Sequence, residues 1–276
     1  MRLIDTICLS IVEGVTEFLP VSSTGHMILV RQMLGLEKSE SLDAFLVIVQ
    51  AGAILAVVTV FWPTLLGWLR AWMALLLRKS NAGAAMIGAR LQSIYFALSV
   101  IPFAVFGFVF KNQIKALFDV RVVAYALLVG GVLILVDEHF LAKRRNARER
   151  SLESLGLRDA LLVGLGQCCA LWPGFSRSAA TIITGRWLGF SRTSAAEISF
   201  LVGLPTLCGT ALYEAKSSWH LIDSELRGQL LIGIVISWVV AYLFVKLFLA
   251  FLKRFPLTIF AWYRIALALV IFYFIN

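Results

Sequence analysis

Two glutamates lie in the first apolar segment of the 276-residue chain. Glu13 and Glu17 are four residues apart, a spacing that places both carboxylates on one face of a helix. A charged carboxylate in such a segment needs a cation or another partner, for example a salt bridge to Arg177 or Arg264. Mg²⁺ and Ca²⁺ bind through carboxylates together with phosphate oxygens. We therefore expect Glu13 and Glu17 to hold Mg²⁺ or Ca²⁺ beside a phosphate substrate, or to form a general acid and base pair.

Hydroxyl groups and an imidazole follow these glutamates. Ser23 and His26 are three residues apart, so one helical turn brings the imidazole beside the hydroxyl. A serine that caps a helix and a histidine with a structural hydrogen bond are the simpler interpretation. The two nearby carboxylates favour catalysis instead. The pattern predicts that Ser23 is the nucleophile, that His26 or Glu17 is its base, and that Ser22 and Thr24 bind phosphate.

A second polar cluster contains an arginine between two serines. Ser176, Arg177 and Ser178 follow a Pro-Gly pair, and Thr181 lies one helical turn later. A guanidinium flanked by hydroxyls at a helix N-terminus is suited to binding phosphate. We expect Arg177 to act in catalysis and the neighbouring hydroxyls to bind phosphate; the alternative is that Arg177 extends to the membrane interface. Arg264, within the last apolar segment, is the other candidate phosphate ligand.

The composition places these residues in a membrane protein. Hydrophobic residues make up 60% of the chain and charged residues 15%, and the mean hydropathy is +0.89. A soluble domain cannot cover so much apolar surface with so few charges. The net charge of +9 does not indicate a nucleic-acid partner, because the basic residues lie between apolar segments. The four cysteines have neither metal-binding nor disulfide-framework spacing.

Six apolar segments, with their flanks, are long enough to cross a membrane. They occupy 44–69, 91–110, 122–136, 198–213, 228–245 and 265–276. The part of the first segment after Pro63 is expected to be an amphipathic helix at the interface. Segments 1–37 and 159–192 each contain a helix, a break with Pro and Ser, and a second helix, which is typical of a re-entrant hairpin. We therefore predict an all-α integral membrane protein with six transmembrane helices and two re-entrant helical hairpins.

The loop charges predict the orientation of the chain. With three spans between the hairpins, twelve basic residues fall on one side of the membrane and seven on the other. The richer side contains Arg70, Arg78, Lys79, Arg90, Lys143, Arg144, Arg145, Arg148, Arg150, Arg158, Lys253 and Arg254. Because the side richer in Lys and Arg faces the cytoplasm, we expect both termini on the opposite side.

The two broken segments are similar to each other. When they are aligned at their prolines, PVSSTG pairs with PGFSRS, and Ser23 falls on Ser176. The odd number of spans between them turns the second copy upside down. We therefore predict an inverted-topology repeat of approximately 1–139 and 157–276 within a single membrane domain. In such folds the broken helices meet near the bilayer midplane and direct their N-termini at an anion.

Two longer motifs resemble those of a known family. EGVTEFLPVSSTGH (13–26) and LWPGFSRSAATI (171–182) are similar to the signature motifs of the bacterial undecaprenyl-diphosphate phosphatase family, also called the bacitracin-resistance proteins. The similarity extends over essentially the whole chain, including FLVIVQAGAILAV (45–57), YALLVGGVLIL (125–135) and FAWYRIALALV (260–270).

The resemblance implies an inner-membrane hydrolase whose active site opens to the extracytoplasmic side. Such an enzyme converts undecaprenyl diphosphate, an isoprenoid diphosphate lipid, to undecaprenyl phosphate and inorganic phosphate. This reaction recycles the lipid carrier of peptidoglycan synthesis and confers bacitracin resistance. The family's motifs fall on Glu13 and Glu17, which imply a divalent cation, on Ser23 and His26, and on the segment around Arg177. A homodimer is compatible with the resemblance.

A different class of protein has a similar expected architecture. Inverted repeats with broken helices are typical of secondary transporters, so a polyprenyl-phosphate lipid flippase is the alternative. A flippase needs an anion site but no nucleophile, and the cluster of Ser23, His26 and Glu17 therefore favours the hydrolase. The preferred metal, the base that serves Ser23 and the range of lipid diphosphates stay open at this point.

Overall fold

The computed structural model describes residues 1–77, 83–142, 149–221 and 224–275. Over these residues the chain is almost entirely helical, without a β-strand. The helices are α1 Leu3–Thr16, α2 Ser23–Met33, α3 Glu40–Ile48, α4 Gln50–Val60, α5 Trp62–Leu76, α6 Ala84–Leu98, α7 Val100–Val109, α8 Lys111–Ala116, α9 Val120–Ala142, α10 Leu157–Gln167, α11 Arg177–Trp187, α12 Arg192–Ser217, α13 Ser224–Leu252 and α14 Thr258–Ile275. Six of the basic residues used for the orientation, Arg78, Lys79, Lys143, Arg144, Arg145 and Arg148, lie outside the described residues.

Six helical segments in the described part of the chain are long and apolar enough to span a membrane, so the protein is a multi-pass membrane protein. They are Glu40–Val60, Ala84–Val109, Val120–Phe140, Arg192–Ser217, Ser224–Leu252 and Thr258–Ile275. The predicted number of spans is confirmed, but their bounds differ from the charge-free segments. The first span ends at Val60, and α5 begins at Trp62 with Pro63 in its first turn. The interfacial position of α5 stays a prediction.

The span formed by α9 extends past two charged residues, because their charges are paired inside the protein. Asp137 and Glu138 are buried near the end of α9. Arg186 of α11 contacts both carboxylates, and Arg192 of α12 lies 2.8 Å from Glu138. The backbone N–H of Leu257 also donates to Glu138. Burial costs less free energy for paired charges than for isolated charges. This cluster therefore permits charged residues at the ends of the spans.

Glycines allow two helices to pack closely against α13. A Cβ atom at Gly14 of α1 would lie 2.8 Å from the carbonyl oxygen of Ser237. At Gly52 of α4 it would lie 2.4 Å from the carbonyl oxygen of Ile234. Small residues at such contacts let helix backbones approach each other within a membrane. The packing of α1 on α13 fixes the helix that carries Glu13 and Glu17.

The predicted helix breaks are present. The first lies between α1 and α2, and the second lies between α10 and α11. Ser22 and Ser176 precede the second helix of each pair with φ of 71° and 78°, the left-handed region that non-glycine residues seldom adopt. Each serine hydroxyl oxygen accepts a hydrogen bond from a backbone N–H three residues later and thereby caps its helix. The re-entrant path of these helix pairs through the bilayer stays a prediction.

The backbone corrects the alignment of the two breaks by one residue. The equivalent serines are Ser22 and Ser176, which share their φ and their capping role, so Ser23 corresponds to Arg177 and not to Ser176. The same offset of 154 relates Asp5 to Asp159, and each of these carboxylates accepts from the backbone N–H that precedes its helix. These matching features support the proposed repeat of 1–139 and 157–276.

Candidate active site

The two helix breaks contact each other directly. The hydroxyl of Ser178, in the first turn of α11, donates to the carbonyl of Leu19 in the first break at 2.8 Å. The guanidinium of Arg177 donates to the carboxylate of Glu17, with an Nη2–Oε1 distance of 3.3 Å. The structure therefore brings together side chains that are about 160 residues apart in the sequence.

Glu17 connects the predicted nucleophile to the predicted arginine. Its Oε2 atom accepts a hydrogen bond from the hydroxyl of Ser23 at 2.5 Å, while its Oε1 atom accepts one from Arg177. Glu17 and Ser23 are 6% and 8% exposed, so little water competes for these contacts. The carboxylate follows the last residue of α1 and the hydroxyl stands at the first residue of α2, so the break itself produces the contact.

His26 does not face Ser23, which corrects the expectation drawn from their spacing. Its Nδ1 atom lies 2.7 Å from the carbonyl oxygen of Ser22, one turn earlier in the helix. Its Nε2 atom lies 2.6 Å from the hydroxyl oxygen of Tyr263 in α14. Both ring nitrogens are thus engaged elsewhere, and the hydroxyl of Ser23 donates its hydrogen bond to Glu17.

Arg177 is held in place by α12. Its Nη1 atom donates to the carbonyl of Ser199 at 3.1 Å, and its Nε atom is buried without a hydrogen-bond partner. A Cβ atom at Gly203 would lie 2.1 Å from Nη1, so only glycine leaves room for the guanidinium there. Gly203 was not among the residues that the sequence analysis selected, because a glycine within an apolar helix gives no chemical signal. The unpaired Nε–H is a donor available to a phosphate oxygen.

The other predicted phosphate ligands differ in their accessibility. Ser22 and Ser176 use their hydroxyl oxygens as helix caps at the two breaks, and Ser176 also contacts Ser178 at 3.0 Å. Thr24 is half-buried beside Ser23. Thr181 is fully buried one turn behind the break. Its hydroxyl lies within hydrogen-bond distance of the Ser199 hydroxyl and of two backbone carbonyls of α11. The structure thus places it behind the site and corrects its expected role as a phosphate ligand.

Arg264 also has a different role from the one expected. Its guanidinium is fully buried and donates to five backbone carbonyls at 2.8 to 3.2 Å. These carbonyls belong to Pro20 in the first break, Gly174 and Phe175 in the second, and Ala126 and Leu127 in α9. All three of its nitrogens are occupied, so Arg264 holds the two breaks together and is not placed to bind phosphate.

The glutamate pair is compatible with a cation site. Glu13 is 1% exposed, and its Oε1 atom has no hydrogen-bond partner. Within the described residues, no group of three or more His, Cys, Asp or Glu side chains forms a metal cluster. Two carboxylates completed by phosphate oxygens and water are nevertheless typical of Mg²⁺ sites. The buried, unpaired carboxylate oxygen therefore fits a cation that arrives with a phosphate substrate.

The arrangement as a whole is suited to phosphoryl transfer. A buried serine hydroxyl donates to a carboxylate, and an arginine with an unpaired donor stands on the other side of that carboxylate. The helices that follow the breaks add backbone N–H groups that have no acceptor within their own helix. Phosphoryl transfer depends mainly on positioning and on stabilising negative charge, and these groups supply both.

Comparisons with known proteins agree with this chemistry. The sequence model of a family described as bacitracin resistance protein BacA matches residues 6–270. An undecaprenyl-diphosphatase from Psychrobacter arcticus is 42% identical over 265 residues, which are 95% of this chain and 91% of that protein. The residues matched by the family model include both helix breaks and most of the last span.

Proposed function

Because the chain belongs to the bacitracin resistance protein BacA family, we propose that it is an undecaprenyl-diphosphate phosphatase. It hydrolyses undecaprenyl diphosphate to undecaprenyl phosphate and inorganic phosphate. The product is the lipid carrier of peptidoglycan synthesis, and its regeneration confers resistance to bacitracin. The observation that carries this proposal is the contact of Ser23 and Arg177 with the same buried carboxylate of Glu17.

Ser23 begins the reaction as the nucleophile. Its oxygen attacks the terminal phosphorus while Glu17 accepts the hydroxyl proton across their 2.5 Å hydrogen bond. The bond between this phosphorus and the bridging oxygen breaks, and the electron pair leaves with undecaprenyl phosphate. A water molecule then attacks the phosphorus of the phosphoserine, and the bond between this phosphorus and the Ser23 oxygen breaks. Glu17 returns its proton to the Ser23 oxygen, which restores the hydroxyl, and the protons of the water leave with inorganic phosphate.

Arg177 stabilises the negative charge that develops on the transferred phosphoryl group. Its unpaired Nε–H is the donor directed at the phosphoryl oxygens, and the contact with the Ser199 carbonyl fixes the plane of the guanidinium. The N-terminal N–H groups of α2 and α11, with the hydroxyls of Ser176 and Ser178, surround the same anion. Glu13 and Glu17 would hold Mg²⁺ or Ca²⁺, and the cation would neutralise the diphosphate.

The membrane fold supports a lipid substrate and a location in a membrane. The substrate is a lipid whose isoprenoid chain lies among the spans while its diphosphate reaches the two breaks. We place the enzyme in the bacterial inner membrane with the active site open to the extracytoplasmic side. Lipid transport without hydrolysis needs no hydroxyl bound to a carboxylate, so the contact between Ser23 and Glu17 favours the phosphatase over a flippase.

Phosphate release by the purified protein in detergent tests the activity. We expect hydrolysis of undecaprenyl diphosphate, loss of activity with a chelator and recovery on addition of Mg²⁺ or Ca²⁺. Shorter isoprenoid diphosphates measure the selectivity for chain length. No membrane separates two compartments in detergent, so transport alone yields no phosphate. Absence of phosphate release from folded protein with either cation would contradict the proposed function.

Paired cysteine substitutions test the orientation. Lys38→Cys, between α2 and α3, is expected outside the cytoplasm, and Glu149→Cys, before α10, inside; both positions are exposed. The native cysteines Cys8, Cys168, Cys169 and Cys208 are first replaced by serine. A membrane-impermeant thiol reagent should label only the Lys38→Cys protein in intact cells. Labelling of Glu149→Cys alone would reverse the orientation and place the active site on the cytoplasmic side.

A further inference from the structure

Tyr263 contacts the active site although neither its residue type nor its spacing pointed to a role. It lies in α14 directly before Arg264. Its hydroxyl oxygen lies 2.6 Å from Nε2 of His26, and the two ring planes are nearly parallel, 7° apart, with their centroids 5.6 Å apart. The contact between the rings and the short hydrogen bond fix both the position and the rotation of the imidazole.

The opposite edge of the imidazole determines where its proton lies. Nδ1 of His26 lies 2.7 Å from the carbonyl oxygen of Ser22, and a carbonyl oxygen can only accept a hydrogen bond. Nδ1 therefore carries the proton. In a neutral imidazole the other nitrogen is then an acceptor, so the hydroxyl of Tyr263 must donate to Nε2.

We propose that Tyr263 is a positioning residue of this active site. Its hydroxyl donates to Nε2, holds His26 as the neutral Nδ1–H tautomer and directs the basic lone pair of the imidazole away from Ser23. The acceptor for the Ser23 proton is consequently Glu17 alone. The kinetic consequence rests on the proposed phosphatase function, whereas the tautomer of His26 follows from the contacts themselves.

The position of α14 explains why this residue is suited to the task. Arg264 holds the first break at the carbonyl of Pro20, and Tyr263 holds the same segment at His26. Two consecutive residues of one span thus contact the chain on both sides of Ser23. Tyr263 is 45% exposed whereas Ser23 is 8% exposed, so the contact between Tyr263 and His26 lies at the accessible edge of a buried site.

Nitrogen NMR of the histidine side chains tests the tautomer without an activity measurement. The chain contains only three histidines, and the His26→Ala variant assigns the signals of His26. At about pH 8, where an ordinary imidazole is neutral, His26 should give the pattern of the Nδ1–H tautomer. Tyr263→Phe keeps the ring but removes the donor, so the Nε2 signal should shift while those of His139 and His220 stay unchanged. An Nε2–H pattern in the wild type, or an unchanged Nε2 signal in Tyr263→Phe, would overturn the proposal.

A double-mutant cycle separates positioning from a general structural role. Tyr263→Phe frees the imidazole to rotate and to compete with Glu17 for the hydroxyl of Ser23. It should therefore lower kcat by about two- to tenfold, the range of one ordinary hydrogen bond, with little change in KM. In a His26→Ala background the same substitution should change kcat by less than about twofold, because Tyr263 acts through His26. Equal losses in both backgrounds would contradict the proposal.

Tyr273→Phe is the matched control, since Tyr273 lies on the same helix and is 80% exposed. It should behave as the wild type in both measurements. A wild-type protein without phosphatase activity would refute the proposed function but leave the NMR test intact, so the two failures are distinguishable.

Discussion

Replacement of Glu17 by glutamine tests the centre of the proposed mechanism. The substitution preserves the shape of the side chain but removes its charge. Glu17 accepts from two donors at once, the hydroxyl of Ser23 and the guanidinium of Arg177. Glutamine has one acceptor oxygen and one NH₂ group, so if the oxygen faces Arg177, the NH₂ group faces Ser23, whose hydroxyl can then only accept from it. The variant therefore loses the proton acceptor and one charge-assisted contact together.

The structure allows the size of this effect to be estimated. A hydrogen bond to a charged group contributes about 1.5–3 kcal/mol, which corresponds to roughly ten- to a hundredfold in rate. Loss of a general base adds about 10²- to 10⁴-fold. Glu17→Gln should therefore reduce kcat by more than about a hundredfold if Glu17 accepts the Ser23 proton. If Glu17 only orients Arg177, the loss of kcat in Glu17→Gln should stay within about a hundredfold.

The assay is phosphate release from undecaprenyl diphosphate by purified, folded protein over a range of Mg²⁺ concentrations. The range matters because a weakened cation site would be compensated at high Mg²⁺, whereas a missing base would not. Glu197→Gln, which removes a half-buried carboxylate of α12 outside the site, is the matched control and should retain the wild-type rate within about twofold. Retention of more than about a hundredth of the wild-type kcat by Glu17→Gln would refute the role of Glu17 as the base.

Three further substitutions test the remaining groups by the same assay. Ser23→Ala should lower kcat by more than about a hundredfold. The control Ser22→Gly, in which glycine tolerates the positive φ of 71°, should lower kcat by less than about tenfold. Similar losses in the two variants would show that Ser23 is only a binding hydroxyl. Arg177→Lys keeps the positive charge but loses the planar guanidinium with its paired N–H donors, so it should lower kcat/KM by at least about tenfold. A fully active lysine variant would exclude a fixed guanidinium contact. Gly203→Ala should lower kcat/KM by a comparable factor, because its Cβ would lie 2.1 Å from the guanidinium of Arg177. Gly209→Ala is the control on the same helix, where the space is open, and should have the wild-type kcat/KM. A wild-type kcat/KM in Gly203→Ala would show that the arginine is not confined.

Much of the fold could be predicted from local sequence. Membrane-spanning length is a property of consecutive apolar residues, so six spans were predicted and six are present in the part of the chain that the structure describes. The helix breaks were also predictable, because proline, glycine and serine act on the backbone within a few residues. The bounds of the spans were less predictable. Asp137 ends a charge-free segment in the sequence but lies within α9, because Arg186 pairs with it from a different helix.

The repeat illustrates a limit of alignment by residue type. The prolines of the two breaks suggested that Ser23 corresponds to Ser176, but the backbone makes Ser22 the equivalent of Ser176. Pro20 and Gly174, whose carbonyl oxygens accept hydrogen bonds from the same arginine, follow the corrected offset. The conformation of a break depends on φ and on capping, and proline position determines neither by itself.

The sequence by itself determined which residue types are available for chemistry: two glutamates on one helical face, a serine at a break, and an arginine flanked by hydroxyls. Only the tertiary structure decided how they are paired. Ser23 faces Glu17 and not His26, because His26 is held by Tyr263 from 237 residues away. Arg264 is occupied by carbonyls of both breaks, although its type and burial equally suited a phosphate ligand. Helical spacing places residues on a common face, but the direction of a hydrogen bond depends on partners that distant segments bring to that face.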